Sequence, residues 1–208
     1  MNKYLADTQY AAKGLIELYV HEILAYKKAN RTFVASAEKV KDWNAQFEGK
    51  DLLQEARKLP LLQSLCDMEK NTEQLSESAK KLFILEDIFK TRQFALQTLC
   101  GALLQIAKQG ISVTYANEWE AKCPVGRAIG RETIRNIIWQ GRNHSLHYEE
   151  NKPRDAVRQC FANLEASFDA RFSLSSQPST NLAAHVIDVL KWHSYEAYEA
   201  DMSALLGT

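Results

Sequence analysis

Punctuation is what this chain lacks. Eight glycines and four prolines are spread over 208 residues, and strand-like alternation of apolar and polar side chains is nearly absent. Apolar residues recur instead at three- and four-residue steps, the period of an amphipathic helix. The pattern predicts an all-α protein: an antiparallel helical bundle with extra N-terminal helices and a C-terminal helix.

The strongest stripe runs from Lys80 to Gln109, where Leu85, Ile88, Phe89, Leu96, Leu99, Leu103 and Ile106 share one face. Gly110 follows as a C-terminal stop. Upstream, Lys3 to Asn30 reads as a helix through Leu15, Leu18, Tyr19, Glu22 and Tyr26, ended by Asn30-Arg31-Thr32. Phe33 to Phe47 reads as a second helix. Asp51 suits the N-cap of Leu52 to Leu59, and Leu61 to Glu69 resumes after Pro60. Residues 111–130 are less regular. Helical patterns return over Arg131 to Gly141, Ala156 to Phe172 and Asn181 to about Leu206, with Leu174 to Thr180 as a linker-like stretch. The expected organisation is an N-terminal helical part at 1–79, a core at 80–172, a linker at 173–180 and a C-terminal helix at 181–208.

A chain of this length buries a core without metals or disulfides. Its 26 Lys and Arg balance 26 Asp and Glu, so no global field attracts a duplex or a membrane surface. Met1 to Asp7 has no apolar leader, and the longest apolar run, Leu82 to Leu85, is far short of a membrane span. Cys66, Cys100, Cys123 and Cys160 lack C-x-x-C spacing and read as thiols of a reducing compartment. A cytoplasmic protein without a membrane partner is expected.

The neutral total conceals a local imbalance. Between residues 121 and 158 lie eight basic side chains, Lys122, Arg127, Arg131, Arg135, Arg142, Lys152, Arg154 and Arg158. Only four acidic ones lie there, Glu132, Glu149, Glu150 and Asp155, so the segment carries a net +4 and the rest of the chain −4. Arg127, Arg131 and Arg135 recur every fourth residue. On one helix they would form a row able to hold successive phosphates of a single RNA strand.

At the centre of that segment is Gly141-Arg142-Asn143-His144-Ser145-Leu146-His147-Tyr148. Arg142 offers a planar fork of donors to phosphate oxygens. His147 can exchange a proton near neutral pH. Asn143 can position either one or cap a helix. His147 follows Arg142 by five positions, so the backbone is expected to turn, or to start a helix, between them. His144 reads as an exposed neighbour adding positive charge, and Trp139 and Tyr148 flank the stretch as candidate stacking partners for a base. No acidic cluster with metal-ligand spacing accompanies these groups, so the chemistry expected is free of metal and cofactor. It is attack of an RNA 2′-hydroxyl on the adjacent phosphorus, with one group as base and another as acid. One histidine does not supply both proton transfers in one geometry, whereas two copies of His147 across a homodimer would.

Arg142 to His147 resembles the R-N-x-x-x-H form of the R-x(4–6)-H motif of HEPN domains, and the resemblance covers residues 80 to 172. These are all-α bundles, many of them metal-independent endoribonucleases of toxin–antitoxin, phage-defence and CRISPR-linked systems. The resemblance implies Arg142, Asn143 and His147 as catalytic residues and RNA as substrate. It implies 2′,3′-cyclic phosphate and 5′-hydroxyl products and a homodimeric cleft, and it allows for a protein antitoxin or regulatory partner. Arg127, Arg131, Arg135, His144 and Tyr148 are the expected substrate-binding residues. Some relatives carry a modifiable tyrosine two residues past the histidine. Here that position is Glu149, with Tyr148 one residue too early.

Blander readings remain open at this stage. Arg142 can pair with Glu149 or Glu150, and His147 can be an interface histidine in a non-catalytic HEPN-like binding or dimerisation module. His144, His147 and Glu149 or Glu150 could also hold a metal. His21, His185 and His193 lie scattered on amphipathic helices, and Trp43, Trp119 and Trp192 read as core or interface.

Overall fold

The computed structural model describes residues 2–47, 61–150 and 152–207, and the expected N-cap Asp51 and helix Leu52 to Leu59 lie outside them. Side chains at 39, 40, 42–47, 61–76 and 79 are likewise not described, Cys66 and Trp43 among them. The fold is mostly α-helical, as the periodicity requires. In chain order it has α1 (Lys3–Phe47), α2 (Leu61–Tyr115) and α3 (Trp119–Lys122), then β1 (Ala128–Ile129) and β2 (Glu132–Thr133). These are followed by α4 (Ile134–His147), α5 (Asp155–Ser167), α6 (Ala183–Leu190) and α7 (Tyr195–Leu206). No helix among the described residues is long and apolar enough to cross a membrane.

Contacts divide the chain into two compact units, one of residues 1–23 with 94–208 and one of residues 24–93. In the second unit Phe89 stacks on Tyr26 at 5.1 Å and on Phe33 at 5.9 Å. Phe83, Ile84 and Ile88 are exposed. Asn30-Arg31-Thr32 does not end a helix. Arg31 and Thr32 bond back to the carbonyls of Lys27 and Lys28, which helical backbone tolerates, and α1 continues to Phe47.

The first unit holds the principal core. α1 contributes Leu5, Ala12, Ile16 and Tyr19, while Leu18 is exposed. α2 contributes Leu96, Cys100, Leu103, Leu104, Ala107 and Ile111. Its buried stripe is therefore rotated from the expected one, Leu99 and Ile106 lying at its half-buried edge. Gly110 is not a stop either. A Cβ there would come within 2.8 Å of the Tyr4 ring and 3.1 Å of Leu206. The glycine is the notch into which Tyr4 fits, and the Tyr4 hydroxyl donates to the Ile106 carbonyl at 2.8 Å. α2 ends after Tyr115, where Ala116 takes φ +49°.

The irregular stretch before α4 contains a two-stranded antiparallel hairpin, β1–β2. Gly130 turns it at φ +60°, and a Cβ there would lie 2.4 Å from the Ser167 side chain. Thr133 then caps α4, accepting a hydrogen bond from the Asn136 amide. α4 buries Ile134, Ile137 and Ile138 and packs against α5 and α6.

The expected single helix from Asn181 to Leu206 is two helices. Lys191 adopts a left-handed C-cap at φ 59°, and Ser194 caps α7. Both helices lie in the same unit as residues 94–172. Leu182, Val186, Ile187 and Leu190 are fully buried, so Leu174 to Thr180 joins parts of one core. Cys100, Cys123 and Cys160 are buried and unbridged. Burial pushes the Cys123 thiol up to about 11 and the other two higher.

Candidate nucleic-acid cleavage site

The motif lies in the C-terminal half of α4, not in a turn. Residues 142–147 contain neither glycine nor proline, and helical structure persists to His147 before a 3₁₀ turn at Tyr148–Glu150. At ~100° per residue, Arg142 and His147 project roughly 140° apart around the helix axis. They nevertheless line one pocket of about 320 Å³, with Asn143, His144, Glu150, Lys152, Pro153, Arg154 and Val157. The loop leading into α5 supplies the opposite wall.

Arg142 is held by neutral groups. Its Nε donates to Gln105 Oε1 at 2.5 Å, and Nη1 donates to Asn143 Oδ1 at 3.3 Å. Among the described residues it forms no ion pair. Burial lowers its pKa, and Lys108 is lowered by burial and then by the nearby Arg142 charge. The two like charges lie near enough to oppose each other. Lys152 and Arg154 add positive charge to the pocket that Arg142 lines, against the carboxylate of Glu150.

His147 is exposed, and its Nδ1 lies 2.6 Å from Glu150 Oε1. A carboxylate on Nδ1 fixes the ring and leaves Nε2 for proton exchange, the arrangement that positions histidine bases elsewhere. Glu150 is thus tied to His147, and Arg142 pairs with neither Glu149 nor Glu150.

His144 is not the exposed cation expected from its place in the motif. It is 8% exposed, its ring tilts against Phe161 at 4.7 Å, and Nε2 donates to the Thr180 carbonyl at 3.1 Å. Burial pushes its pKa down against the smaller opposing effect of that bond. It touches the pocket as a neutral core imidazole and adds no charge for phosphate. No group of three or more metal-ligating side chains occurs among the described residues. Tyr148 is half-buried outside the pocket lining, its hydroxyl pKa raised by burial and by Glu149.

The arginine row does not form, because the hairpin separates its members. Arg127 grips Asp201 at 2.8 Å and donates to the Leu190 carbonyl at 2.6 Å, while Asp201 also accepts from Trp192 Nε1. Arg131 is exposed at the hairpin turn. Arg135 donates to the carbonyls of Cys123 at 2.5 Å and Glu120 at 3.0 Å, with its guanidinium over Trp119. Trp119 in turn stacks on Trp139 at 3.7 Å, and Lys108 covers Trp139 at 4.4 Å. Arg127 and Arg135 are fold-holding groups.

Sequence reasoning missed Gln105, which holds Arg142 from α2 without any local signal, and Lys108 near it on the same helix. Glu150 was legible as His-x-x-Glu, and Lys152 and Arg154 as the basic residues after the motif. No protein-family model matches the chain, and no curated protein or solved structure matches it.

Proposed function

We propose that the protein is a HEPN-like, metal-independent endoribonuclease that works as a homodimer, of the kind found in toxin–antitoxin and phage-defence systems. The observation that carries this reading is the convergence of Arg142, Asn143 and His147 on one open, net-positive pocket. A single-stranded RNA phosphate enters that pocket and is held by Arg142, with Lys152 and Arg154 on neighbouring phosphates. His147 of one protomer takes the proton of the 2′-hydroxyl, and the 2′-oxygen attacks phosphorus. The P–O5′ bond breaks, and His147 of the second copy protonates the leaving 5′-oxygen. Products are a 2′,3′-cyclic phosphate and a 5′-hydroxyl. Proton transfer of this kind contributes about 10²–10⁴-fold, and Arg142 stabilises the charge gathered on the phosphorane oxygens. Asn143 positions Arg142, and Glu150 holds His147.

The test is incubation of purified protein with single-stranded RNA in EDTA, beside His147→Ala. Wild-type cleavage leaving cyclic phosphate ends, absent in the variant, supports the reading. Identical RNA from both proteins overturns it in favour of a non-catalytic HEPN-like binding or dimerisation module. Titrating His147→Ala protein into wild type under subunit exchange tests the shared cleft. A mixed dimer holds one His147, so activity should fall below the amount of wild-type chain present, and activity proportional to wild-type chain overturns the shared cleft.

A further inference from the structure

Behind the pocket, polar side chains run along α4 in a line that its apolar face does not explain. Glu132, 8% exposed, precedes the helix. One carboxylate oxygen accepts from Asn136 Nδ2 and the other from Asn163 Nδ2, both at 2.7 Å. Asn136 Oδ1 accepts from Gln140 Nε2 at 3.3 Å. Gln140, itself 6% exposed, accepts at Oε1 from Asn143 Nδ2 at 3.4 Å. Asn143 Oδ1 accepts from Arg142. Steps of four, four and three residues put Glu132, Asn136, Gln140 and Asn143 on one side of the helix.

The chemistry of this line is directional. A carboxylate accepts and a guanidinium donates, whereas a primary amide does either at either end. Glu132 admits only the NH₂ of Asn136, which turns the Asn136 oxygen to Gln140. The Gln140 oxygen then faces the NH₂ of Asn143, so the Asn143 oxygen faces Arg142. We propose that Glu132 is a positioning residue that sets, through Asn136 and Gln140, the direction in which the Asn143 amide faces in the Arg142–His147 pocket. The hydrogen-bond relay stands on geometry alone. Its consequence for catalysis rests on the ribonuclease reading above.

Asn143→Asp tests the relay, because a carboxylate at that position offers only acceptors. With Glu132 at the far end, every arrangement of Asn136 and Gln140 then leaves one oxygen facing another. With Glu132→Gln also present, both amides turn over and each contact again pairs a donor with an acceptor. Asn136 to Asn143 already spans about 10 Å of helix, a separation at which substitutions normally add to within about twofold in the unfolding constant. The relay instead predicts that Asn143→Asp costs about tenfold more in the unfolding equilibrium when Glu132 is intact than in the Glu132→Gln background, the cost of one unmatched buried group. Urea unfolding of wild type, both single variants and the double variant measures this.

Repeating the cycle with Gln140→Met cuts the line but keeps every charge. The coupling must then vanish. Additive effects, or a coupling that survives Gln140→Met, overturn the proposal. Should Glu132→Gln not fold, the penalty of Asn143→Asp is compared with and without Gln140→Met. An equal penalty overturns the proposal, and a smaller one in the Gln140→Met background supports it. In RNA cleavage, Glu132→Gln is expected to lower kcat severalfold with KM held. A protein with the stability coupling but no cleavage refutes the ribonuclease reading and leaves the relay intact.

Discussion

Replacing Arg142 with alanine separates function from stability. Arg142 donates to Gln105 and Asn143, and each such bond contributes about 0.5–1.5 kcal/mol. Against that loss, the substitution removes a partly desolvated cation and relieves Lys108, whose ammonium it disfavours. The two effects oppose each other, so the net stability change is about 1 kcal/mol or less, roughly 2–4 °C in Tm for a chain of this size. Catalysis has no such compensation. A preorganised group that stabilises transition-state charge is worth about 10²–10³-fold in kcat. Cleavage of a fluorescent single-stranded RNA in EDTA, with thermal unfolding of the same samples, reads both quantities. Arg142→Lys should fall between, since it keeps the charge but loses the fork that serves Gln105 and phosphate together. Cleavage by Arg142→Ala within about threefold of wild type, under 1 kcal/mol of barrier, would refute the assignment. A Tm loss above about 10 °C would show that Arg142 supports the fold.

The other arginines should behave in the opposite way. Arg127→Ala and Arg135→Ala are expected to lower Tm while leaving RNA affinity of the folded protein and its salt dependence unchanged. Lys152→Ala and Arg154→Ala should each reduce the salt slope of RNA binding by about 0.7; filter binding from low to moderate salt reads all four. His144 makes stability depend on acid. Its folded pKa lies below the unfolded value of 6.5, so below that pH the unfolded chain binds the extra proton. Stability is therefore level above pH 6.5 and falls as pH drops towards the folded pKa. His185, also lowered by burial, acts in the same sense. His144→Gln should make that acid-side slope shallower in urea titrations between about pH 7 and 5, and an unchanged slope would contradict a neutral buried His144. Gly110→Ala gains about 1 kcal/mol of helix propensity but forces a methyl against Tyr4, an overpacking cost of about 1–3 kcal/mol. Net destabilisation is expected, and a variant more stable than wild type would refute the notch.

Legibility in this chain follows the range of the interaction. The helical class, the inward Ile134, Ile137 and Ile138, and the grouping of Arg142 with His147 in one pocket depend on residues within a few turns, and their spacing displays them. Gly110 was misread because a glycine ending a helix and one admitting a neighbour look alike until Tyr4, over a hundred residues away, is placed. Arg127, Arg131 and Arg135 have helical spacing, yet a two-residue hairpin turn at Gly130 breaks it. His144 looked like an exposed cation because its cover comes from Phe161 and Thr180. Gln105 holds Arg142, and Lys108 lies near it, only through the packing of α2 beside α4.

The unit that carries the pocket is discontinuous along the chain. Tyr4 meets Ile106 across 102 residues, and Asn181 donates to the Ser145 carbonyl of α4 across 36. Helical proteins usually fold quickly because their contacts are local. Here the helix bearing Arg142 and His147 packs on α2, which is itself seated against the start of the chain, and it waits for its last buttress from beyond residue 180. Synthesis from the N-terminus therefore leaves the cleft unfinished until α6 has emerged, so an RNA-cutting activity housed there would begin only after the chain has largely left the ribosome, itself an RNA machine.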